Sequence, residues 1–380
     1  MKTAATMLIA LLLAAAPIAH AAQPESLQPS FDLRVPDMPH AATTAAGTQV
    51  FEELHLTNFT EAPLRLVRVD VVDAQDGHVL ASLAGDALKH RLAQIGSLAA
   101  PGDTVVPPGR RDVVYIEWSV HECRPRTIGH VVTYARQPGT GTDVVHGART
   151  VVSYAAGAPL GPPLRGGPWV AIHSAEWAHG HRRVFNAVGG QARIPGRFAI
   201  DWVRVDDAGH TARKHPDVPR DWLGYGADVL AVADASVIAV RDDMAESASV
   251  SGNPKHVLAE DAGNFVALRL DDGRYAFYEH LRPGSIKVAR GQRVRRGDVL
   301  AQLGFTGAST GPHLHFHVAD GPSRIAAEGR PFTLAAFELL GSYRDLGKLG
   351  KAGWTPRPAR EVGQRLDEWP AENAVVRFPD

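Results

Sequence analysis

The stretch TGASTGPHLHFHVADG, residues 306–321, is the most informative part of this chain for its fold and function. Three histidines, His313, His315 and His317, alternate in it with apolar residues. Because successive side chains of a β-strand point to opposite faces, this alternation puts the imidazoles on one face and the apolar groups on the other. Neighbouring histidines of the row lie roughly 6.6 Å apart at the backbone, and the outer two lie about 13 Å apart. The pattern therefore predicts a β-sheet protein with a functional histidine pair, and it leaves open which pair.

The N-terminus has the pattern of a secretory signal peptide. Residues 1–21, MKTAATMLIALLLAAAPIAHA, combine a basic residue, a short apolar run and an Ala-His-Ala ending. The apolar run is too short for a comfortable membrane span, and no second long apolar segment follows it. We therefore expect cleavage after Ala21, no stable membrane insertion of the mature chain, and a periplasmic or secreted location.

Charge and cysteine content limit the classes of partner and the sources of stability. The formal net charge of the 380 residues is -1 and no basic block stands out, so a nucleic-acid partner is not expected. Cys123 is the only cysteine, so the chain cannot form an internal disulfide and must be stabilised by packing. The sequence does not specify an oligomeric state.

Proline and glycine divide the chain into domains. Residues 155–168, AAGAPLGPPLRGGP, cannot hold a helix or a central strand and are expected to form a linker. Before them, residues 22–154 carry short strand-like segments between turn signals, which is typical of an immunoglobulin-like β-sandwich. Residues 169–343 are again rich in strand patterns, and residues 344–380 are expected to form a C-terminal tail on the surface. The predicted fold class is mainly β.

Helical patterns are scarce in this sequence. DALKHRLAQIG, residues 86–96, resembles a helix on a connection between strands of the first domain. PFTLAAFELLG, residues 331–341, has the other helical pattern, near the end of the second domain. We therefore expect at most two helices beside the strands.

The histidine-rich segment resembles a known family of enzymes. GPHLHFHV, together with YEHL (278–281) and an upstream His…Asp, is similar to the M23 (LytM, lysostaphin-type) zinc metallopeptidases over about residues 181–320. In that family the first histidine of His-x-His is catalytic and the second binds zinc. The resemblance therefore implies that His313 is catalytic, that His315 is a zinc ligand and that His280 is the second catalytic histidine. It also implies a LytM-type antiparallel β-sheet domain, a Zn²⁺ cofactor and the peptide part of peptidoglycan as substrate.

The remaining zinc ligands depart from the family pattern, which usually reads His-x-x-x-Asp. Asp201 stands between apolar residues in FAIDWV, but the residue four positions before it is Arg197. Arginine cannot bind zinc, because its guanidinium has no available lone pair and stays charged. The first ligand must therefore come from elsewhere. His181 in HGHRRVFN is the best candidate, followed by His179 and then His210.

Three functional interpretations remain open at this level. With a full metal set of His181, Asp201 and His315, the resemblance implies an exported endopeptidase that uses a zinc-activated water. His313 would handle the proton, His280 would stabilise the oxyanion, and His317, where the family typically carries Glu, would support the site. The alternative is a catalytically inactive LytM-type module that binds the cell wall or activates other wall hydrolases. A third possibility is a wall-binding protein with a purely structural metal.

Overall fold

The computed structural model describes most of the chain, namely residues 29–96, 102–120, 124–139, 141–174, 177, 180–358 and 362–380. The expected signal peptide, residues 1–21, lies outside the described residues, and so do Cys123 and His179. Within the described ranges, none of the helices has the length and apolar character that crossing a bilayer requires.

Two antiparallel sheets form the N-terminal half. Their strands are β1 (Phe31–Arg34), β2 (His40–Thr44), β3 (Gly47–Asn58), β4 (Leu64–Asp73), β5 (Val79–Ala84), β6 (Leu92–Gln94), β7 (Val105–Val106), β8 (Arg111–Ser119), β9 (Thr127–Arg136) and β10 (Thr142–Val151). One sheet has the order β1-β3-β8-β6 with β2 beside β3, and the other has the order β10-β9-β4-β5 with β7 beside β4. Leu54 and Ile116 of the first sheet and Val69 and Val132 of the second belong to one buried core. The two sheets therefore form a sandwich, and its immunoglobulin-like class stays a prediction.

One large antiparallel sheet organises the C-terminal half. The strands of this half are β11 (Gly166–Ile172), β12 (Asn186–Val188), β13 (Gln191–Arg193), β14 (Ile200–Arg204), β15 (Asp228–Leu230), β16 (Ala235–Arg241), β17 (Asn264–Leu270), β18 (Tyr275–Leu281), β19 (Arg293–Val294), β20 (Val299–Gln302), β21 (Leu314–Ala319), β22 (Phe337–Ser342), β23 (Thr355–Pro356), β24 (Gly363–Arg365) and β25 (Ala374–Phe378). The large sheet has the order β19-β16-β17-β18-β21-β14-β11-β25-β22-β23, with β24 beside β22. Two small ribbons, β12-β13 and β15-β20, complete the half. The mainly β fold class is confirmed.

The histidine-rich strand β21 lies inside this sheet, between β18 and β14. Leu314, Phe316 and Val318 are fully buried in the main core, as their alternation predicts. His315 and His317 therefore occupy the opposite face of the sheet. His315 and His317 therefore lie on an interior strand of the large sheet.

The expected tail and linker are both packed into the second half. Residues 374–378 of the expected surface tail form β25, which lies between β11 and β22, and its Val375 and Val376 are fully buried. The tail expectation was wrong because the apolar run at the end of the chain fills an open position in the sheet, which its Pro-rich surroundings concealed. In the expected linker, Leu160 and Leu164 are fully buried and β11 already begins at Gly166.

The two helix predictions had different outcomes. A short helix, α1 (Gly85–Arg91), lies where the first helical pattern begins, and the rest of that pattern continues into β6. The second pattern is not helical, because residues 337–342 form β22. Pairing with β25 and β24 on its two sides supplies the backbone hydrogen bonds of β22. Tertiary pairing therefore overrides a local helical preference there.

Candidate metal centre

Strand register brings Asp201 and His315 together. Asp201 on β14 lies directly opposite His315 on β21. Side chains of directly opposed residues on one face of an antiparallel pair are close enough to interact. The Asp201 Oδ1 and His315 Nδ1 atoms are 2.9 Å apart. This half of the centre is set by the sheet itself.

A three-residue 3₁₀ turn, His181–Arg183, brings the third group from outside the sheet. His181 Nε2 lies 2.9 Å from Asp201 Oδ2, so the two carboxylate oxygens contact different imidazoles. The ring centroids of His181 and His315 are 4.5 Å apart. One donor atom from each of the three residues lies within 4.8 Å of the other two.

The chemistry of this set suits zinc. Two imidazole nitrogens and one carboxylate oxygen are a common protein ligand set of catalytic zinc, which keeps a further position for water or substrate. The side chain of His181 is 37% exposed, so the set is open to solvent on the side of the turn. His210, which the sequence offered as another candidate for the first ligand, does not belong to this set, because its ring contacts Asp206 on an exposed loop.

His313 stands at the edge of the set, one residue before β21. Its Nδ1 lies 2.8 Å from the carbonyl oxygen of Gly311. A carbonyl oxygen can only accept, so Nδ1 carries the proton and donates it. Its other ring nitrogen, Nε2, faces Asp201 Oδ1 at 3.5 Å. His313 therefore presents Nε2 beside the candidate metal position.

His280, the second histidine predicted to be catalytic, lies on the neighbouring strand β18. Its ring centroid lies 4.6 Å from that of His313, and its Nδ1 donates to the carbonyl oxygen of Thr306 at 2.8 Å. The backbone of His280 has a φ of 63°, in the left-handed region that residues with a Cβ rarely adopt. Such strain is typical of positions where surrounding structure holds a side chain for function. Both sequence-predicted catalytic histidines thus flank the three candidate ligands.

His317 lies behind His315, away from Asp201. Its Nδ1 is 3.0 Å from His315 Nε2, and its ring stacks on Phe277 with centroids 4.7 Å apart. When Nδ1 of His315 faces a metal, its Nε2 carries the proton and donates to His317, which fixes the tautomer and ring orientation. His317 Nε2 is buried without a hydrogen-bond partner in the described parts of the chain.

Among the charged groups of the centre, Asp201 has the largest influence on the neighbouring histidines His181 and His313. Burial favours its neutral form, but His181 and His313 outweigh burial and hold the pKa of this carboxyl well below its usual range. Burial lowers the pKa of His181 and of His313, but Asp201 outweighs it and raises both above the ordinary value. Burial, together with neighbouring histidines, lowers the pKa of His280 and of His317 well below the ordinary value. The centre therefore holds one firmly ionised carboxylate among imidazoles of contrasting basicity.

Arg197 occupies the position where the family pattern has its first histidine, and its side chain serves another purpose. The guanidinium contacts Glu53 at 2.9 Å, Asp37 at 2.8 Å and Glu328 at 3.0 Å, and only 4% of the side chain is exposed. Glu53 and Asp37 belong to the N-terminal half, so this arginine joins the two halves.

Glu279 also lies beside the candidate ligands, and it was not among the residues predicted for the site. Glu279 lies on β18 and is paired with His315, so His315 has Glu279 on one neighbouring strand and Asp201 on the other. Potential ligand atoms of Glu279, His315 and His317 form a second close group. Burial raises its pKa, against the charge of His315. A cleft of about 310 Å³ opens here, and Asp261 and Arg324 also line it. The signal was its place in YEHL, directly beside His280.

Comparison with known families and proteins gives a match to part of the chain. Residues 223–327 match the model of peptidase family M23. That segment contains His280, His313 and His315, whereas His181 and Asp201 lie before it. The geometry of the latter two is therefore independent of the match.

Curated relatives are similar over a comparable stretch. The peptidoglycan DD-endopeptidases ShyC and ShyB of Vibrio cholerae serotype O1 are 30% and 33% identical, over 32% of this chain in each case. Lysostaphin of Staphylococcus simulans is 33% identical over 28% of this chain and 20% of its own length. The chain spans about a quarter of the length of the two Vibrio relatives, 25% and 27%.

Solved structures resemble the chain only distantly. A zinc-containing peptidase from Vibrio cholerae aligns over 80% of this chain and 85% of its own, with 17% identity and a TM-score of 0.26. The catalytic domain of lysostaphin from Staphylococcus simulans aligns over 44% and 88%, with 17% identity and a TM-score of 0.23. These TM-scores are too low to support an inference about fold or function.

Proposed function

Residues 223–327 belong to peptidase family M23, and from this premise we propose that the chain is an exported zinc metallo-endopeptidase acting on peptidoglycan peptides. The observation that carries the proposal is the convergence of His181, Asp201 and His315 on one point. The curated names of the relatives ShyC and ShyB as peptidoglycan DD-endopeptidases support the substrate class. A periplasmic or secreted location, expected from residues 1–21, agrees with a substrate outside the cytoplasmic membrane.

We propose His181, Asp201 and His315 as the residues that hold Zn²⁺. The chemistry that zinc supplies in such a set is polarisation of a carbonyl and acidification of water. Asp201 contributes a carboxylate that stays ionised, since its pKa is held well below its usual range by His181 and His313. His317 Nδ1 accepts a hydrogen bond from His315 Nε2 and so keeps Nδ1 of His315 directed toward Asp201.

The proton-transfer step is assigned to His313 and His280. Each donates a hydrogen bond from Nδ1 to a backbone carbonyl oxygen, so Nε2 is the nitrogen available for proton transfer. We assign to His313, whose pKa is raised by Asp201, the removal of a proton from the attacking water. Because Nε2 of neutral His280 carries no proton, its donation to the leaving amine requires that it first takes up the proton that His313 removed from the water. The donor role implied for it by the resemblance therefore follows proton transfer.

Mass spectrometry of purified peptidoglycan incubated with the mature protein tests this function. New amino termini in the released peptides, abolished by a zinc chelator and restored by added Zn²⁺, are the expected result, and they identify the bond. The His315→Ala variant is the control, because it removes one candidate ligand and leaves the cleft residues in place. Intact muropeptides after incubation with a folded, zinc-loaded protein would instead favour the inactive wall-binding or activator module.

A further inference from the structure

The turn that carries His181 is attached to the N-terminal sandwich through its next residue, Arg182. Arg182 Nε donates to Glu53 Oε1 at 2.8 Å and Nη1 donates to Glu117 Oε1 at 2.5 Å. Nη2 donates to the backbone carbonyl oxygens of Glu52 and Ile116, each at 3.0 Å. Only 6% of the side chain is exposed. A buried arginine with its donors divided among two carboxylates and two carbonyls is held in a single orientation.

Every one of these partners lies on two adjacent strands of the sandwich. Glu52 and Glu53 belong to β3, and Ile116 and Glu117 belong to β8. Aromatic rings of the same strands flank the guanidinium, with Phe51 at 5.3 Å and Tyr115 at 5.7 Å from its central carbon. Together these residues form the Arg182 socket, which consists of Phe51, Glu52, Glu53, Tyr115, Ile116 and Glu117.

The turn itself has little local structure to hold His181 in place. It spans three residues, closed by backbone hydrogen bonds from Arg183 to Gly180 and from Val184 to His181. A 3₁₀ segment of this length has poor hydrogen-bond geometry and little stability of its own. On the peptidase side, Gly196 lies so close that a Cβ there would meet the His181 Cβ at 2.8 Å. This contact limits how closely the turn can approach Gly196, but it does not fix the orientation of the His181 imidazole.

We propose that the sandwich domain completes the metal centre: Arg182, gripped by Glu53 and Glu117, is a positioning residue that holds His181 against Asp201. The inference rests on the proposed function, because it assumes that His181 is a metal ligand. It assigns the sandwich a role in building the site rather than only in locating the enzyme. The strand-borne ligands Asp201 and His315 need no such support.

Thermodynamic linkage gives the proposal a reciprocal consequence. If docking of the sandwich favours the metal-binding geometry of His181, then metal binding must favour docking by the same factor. Added Zn²⁺ is therefore expected to slow amide hydrogen exchange at β3 and β8, far from any proposed ligand in sequence. The Asp201→Asn variant, which weakens the metal set without touching the socket, is the control for that effect.

Zinc affinity of the full chain, measured by competition with a chromophoric chelator, tests the proposal directly. Arg182→Met keeps the aliphatic stem and removes all four hydrogen bonds. We expect it to weaken zinc binding by about 10- to 100-fold, the usual cost of losing a partner that orients a ligand. Arg330→Met is the matched control, because Arg330 also joins the two halves, through Asp37 and Asp320, but does not adjoin a ligand. We expect Arg330→Met to bind zinc with wild-type affinity.

The outcomes separate this proposal from the function on which it rests. If the wild-type chain binds zinc no more tightly than His315→Ala does, the proposed metal set itself is wrong. If the wild type binds zinc and a folded Arg182→Met binds it equally well, only the positioning role is overturned. Should Arg182→Met fail to fold, Glu117→Gln decides by the same criterion. It alters the socket from the sandwich side and is expected to weaken zinc binding, and an unchanged affinity would reject the proposal.

Discussion

Asp201 and His315 reach the candidate metal centre from paired strands, whereas His181 reaches it from a three-residue turn. On the strand side, backbone ladders fix the spacing of the two side chains. On the turn side, the corresponding contacts are those of Arg182 with the carboxylates of Glu53 and Glu117 in the N-terminal sandwich. Strand register is therefore sufficient to bring two of the candidate ligands together, whereas the third depends on the packing of the sandwich against the turn.

The same contrast explains the departure at Arg197. In the usual family spacing, the first ligand would stand four residues before Asp201, close to the strand that carries it. Here that position holds an arginine whose guanidinium is committed to Glu53, Asp37 and Glu328. The interface with the sandwich has therefore taken over this position, and the ligand that the interface supports, His181, is proposed to replace it.

The largest effect is expected on the strand side, from loss of His315. His315→Ala should lower peptidoglycan hydrolysis on the order of 10⁴-fold or more, because carbonyl polarisation and water acidification both depend on the bound ion. The measurement is the initial rate of peptide release, together with zinc content. His210→Ala, which changes an exposed histidine bound to Asp206, should keep wild-type activity. Equal losses in both variants would contradict the assignment.

A smaller loss, with the metal retained, is expected from the two flanking histidines. His313→Gln and His280→Gln should each lower kcat/KM by about 10²- to 10⁴-fold, the usual contribution of a positioned acid or base. Zinc content should stay at the wild-type value, because neither residue belongs to the proposed ligand set. Loss of zinc from His313→Gln would instead place His313 among the ligands.

On the interface side, Arg197 is expected to contribute to stability more than to chemistry. Arg197→Met leaves buried carboxylates with fewer partners, and we expect the free energy of unfolding to fall by about 3 kcal/mol. The expected loss is at the lower end for a broken buried pair, because Glu53 keeps Arg182 and Glu328 keeps Arg193. Urea denaturation measures it. Arg241→Met, which breaks an exposed pair with Asp243, should leave the free energy of unfolding nearly unchanged.

The smallest effect is expected from protonation of Asp37 at the same interface when the pH is lowered. Burial raises the pKa of Asp37, but His40, Arg197 and Arg330 outweigh it and lower the pKa to about 2. A carboxyl with a depressed pKa contributes stability that is fully present above its unfolded value of 3.8 and is lost as the pH falls through 2. Between pH 5 and pH 2 the wild type should therefore lose about 2 kcal/mol more than Asp37→Asn. Parallel unfolding curves of the two proteins would contradict this.

Sequence patterns predicted those parts of the fold that repeat at short range. The alternation in GPHLHFHV predicted a strand with one apolar face, and the structure buries Leu314, Phe316 and Val318. Longer-range features were missed for physical reasons. Residues 374–378 read as part of a tail because nothing near them in sequence reveals that β11 and β22 leave a gap for a strand. Residues 337–342 read as a helix because pairing with β24 and β25 is invisible locally.

The same division applies to the candidate site. The sequence supplied the residue types: a His-x-His on a strand, a second histidine motif, and Asp201 between apolar residues. These are visible because alternation and spacing are local properties of the chain. The contacts of His181 with Asp201, of Arg197 with Glu53 and of Glu279 with the cleft appear only in the folded chain. They join residues far apart in the sequence, and their distances depend on how the sandwich and the large sheet pack against one turn.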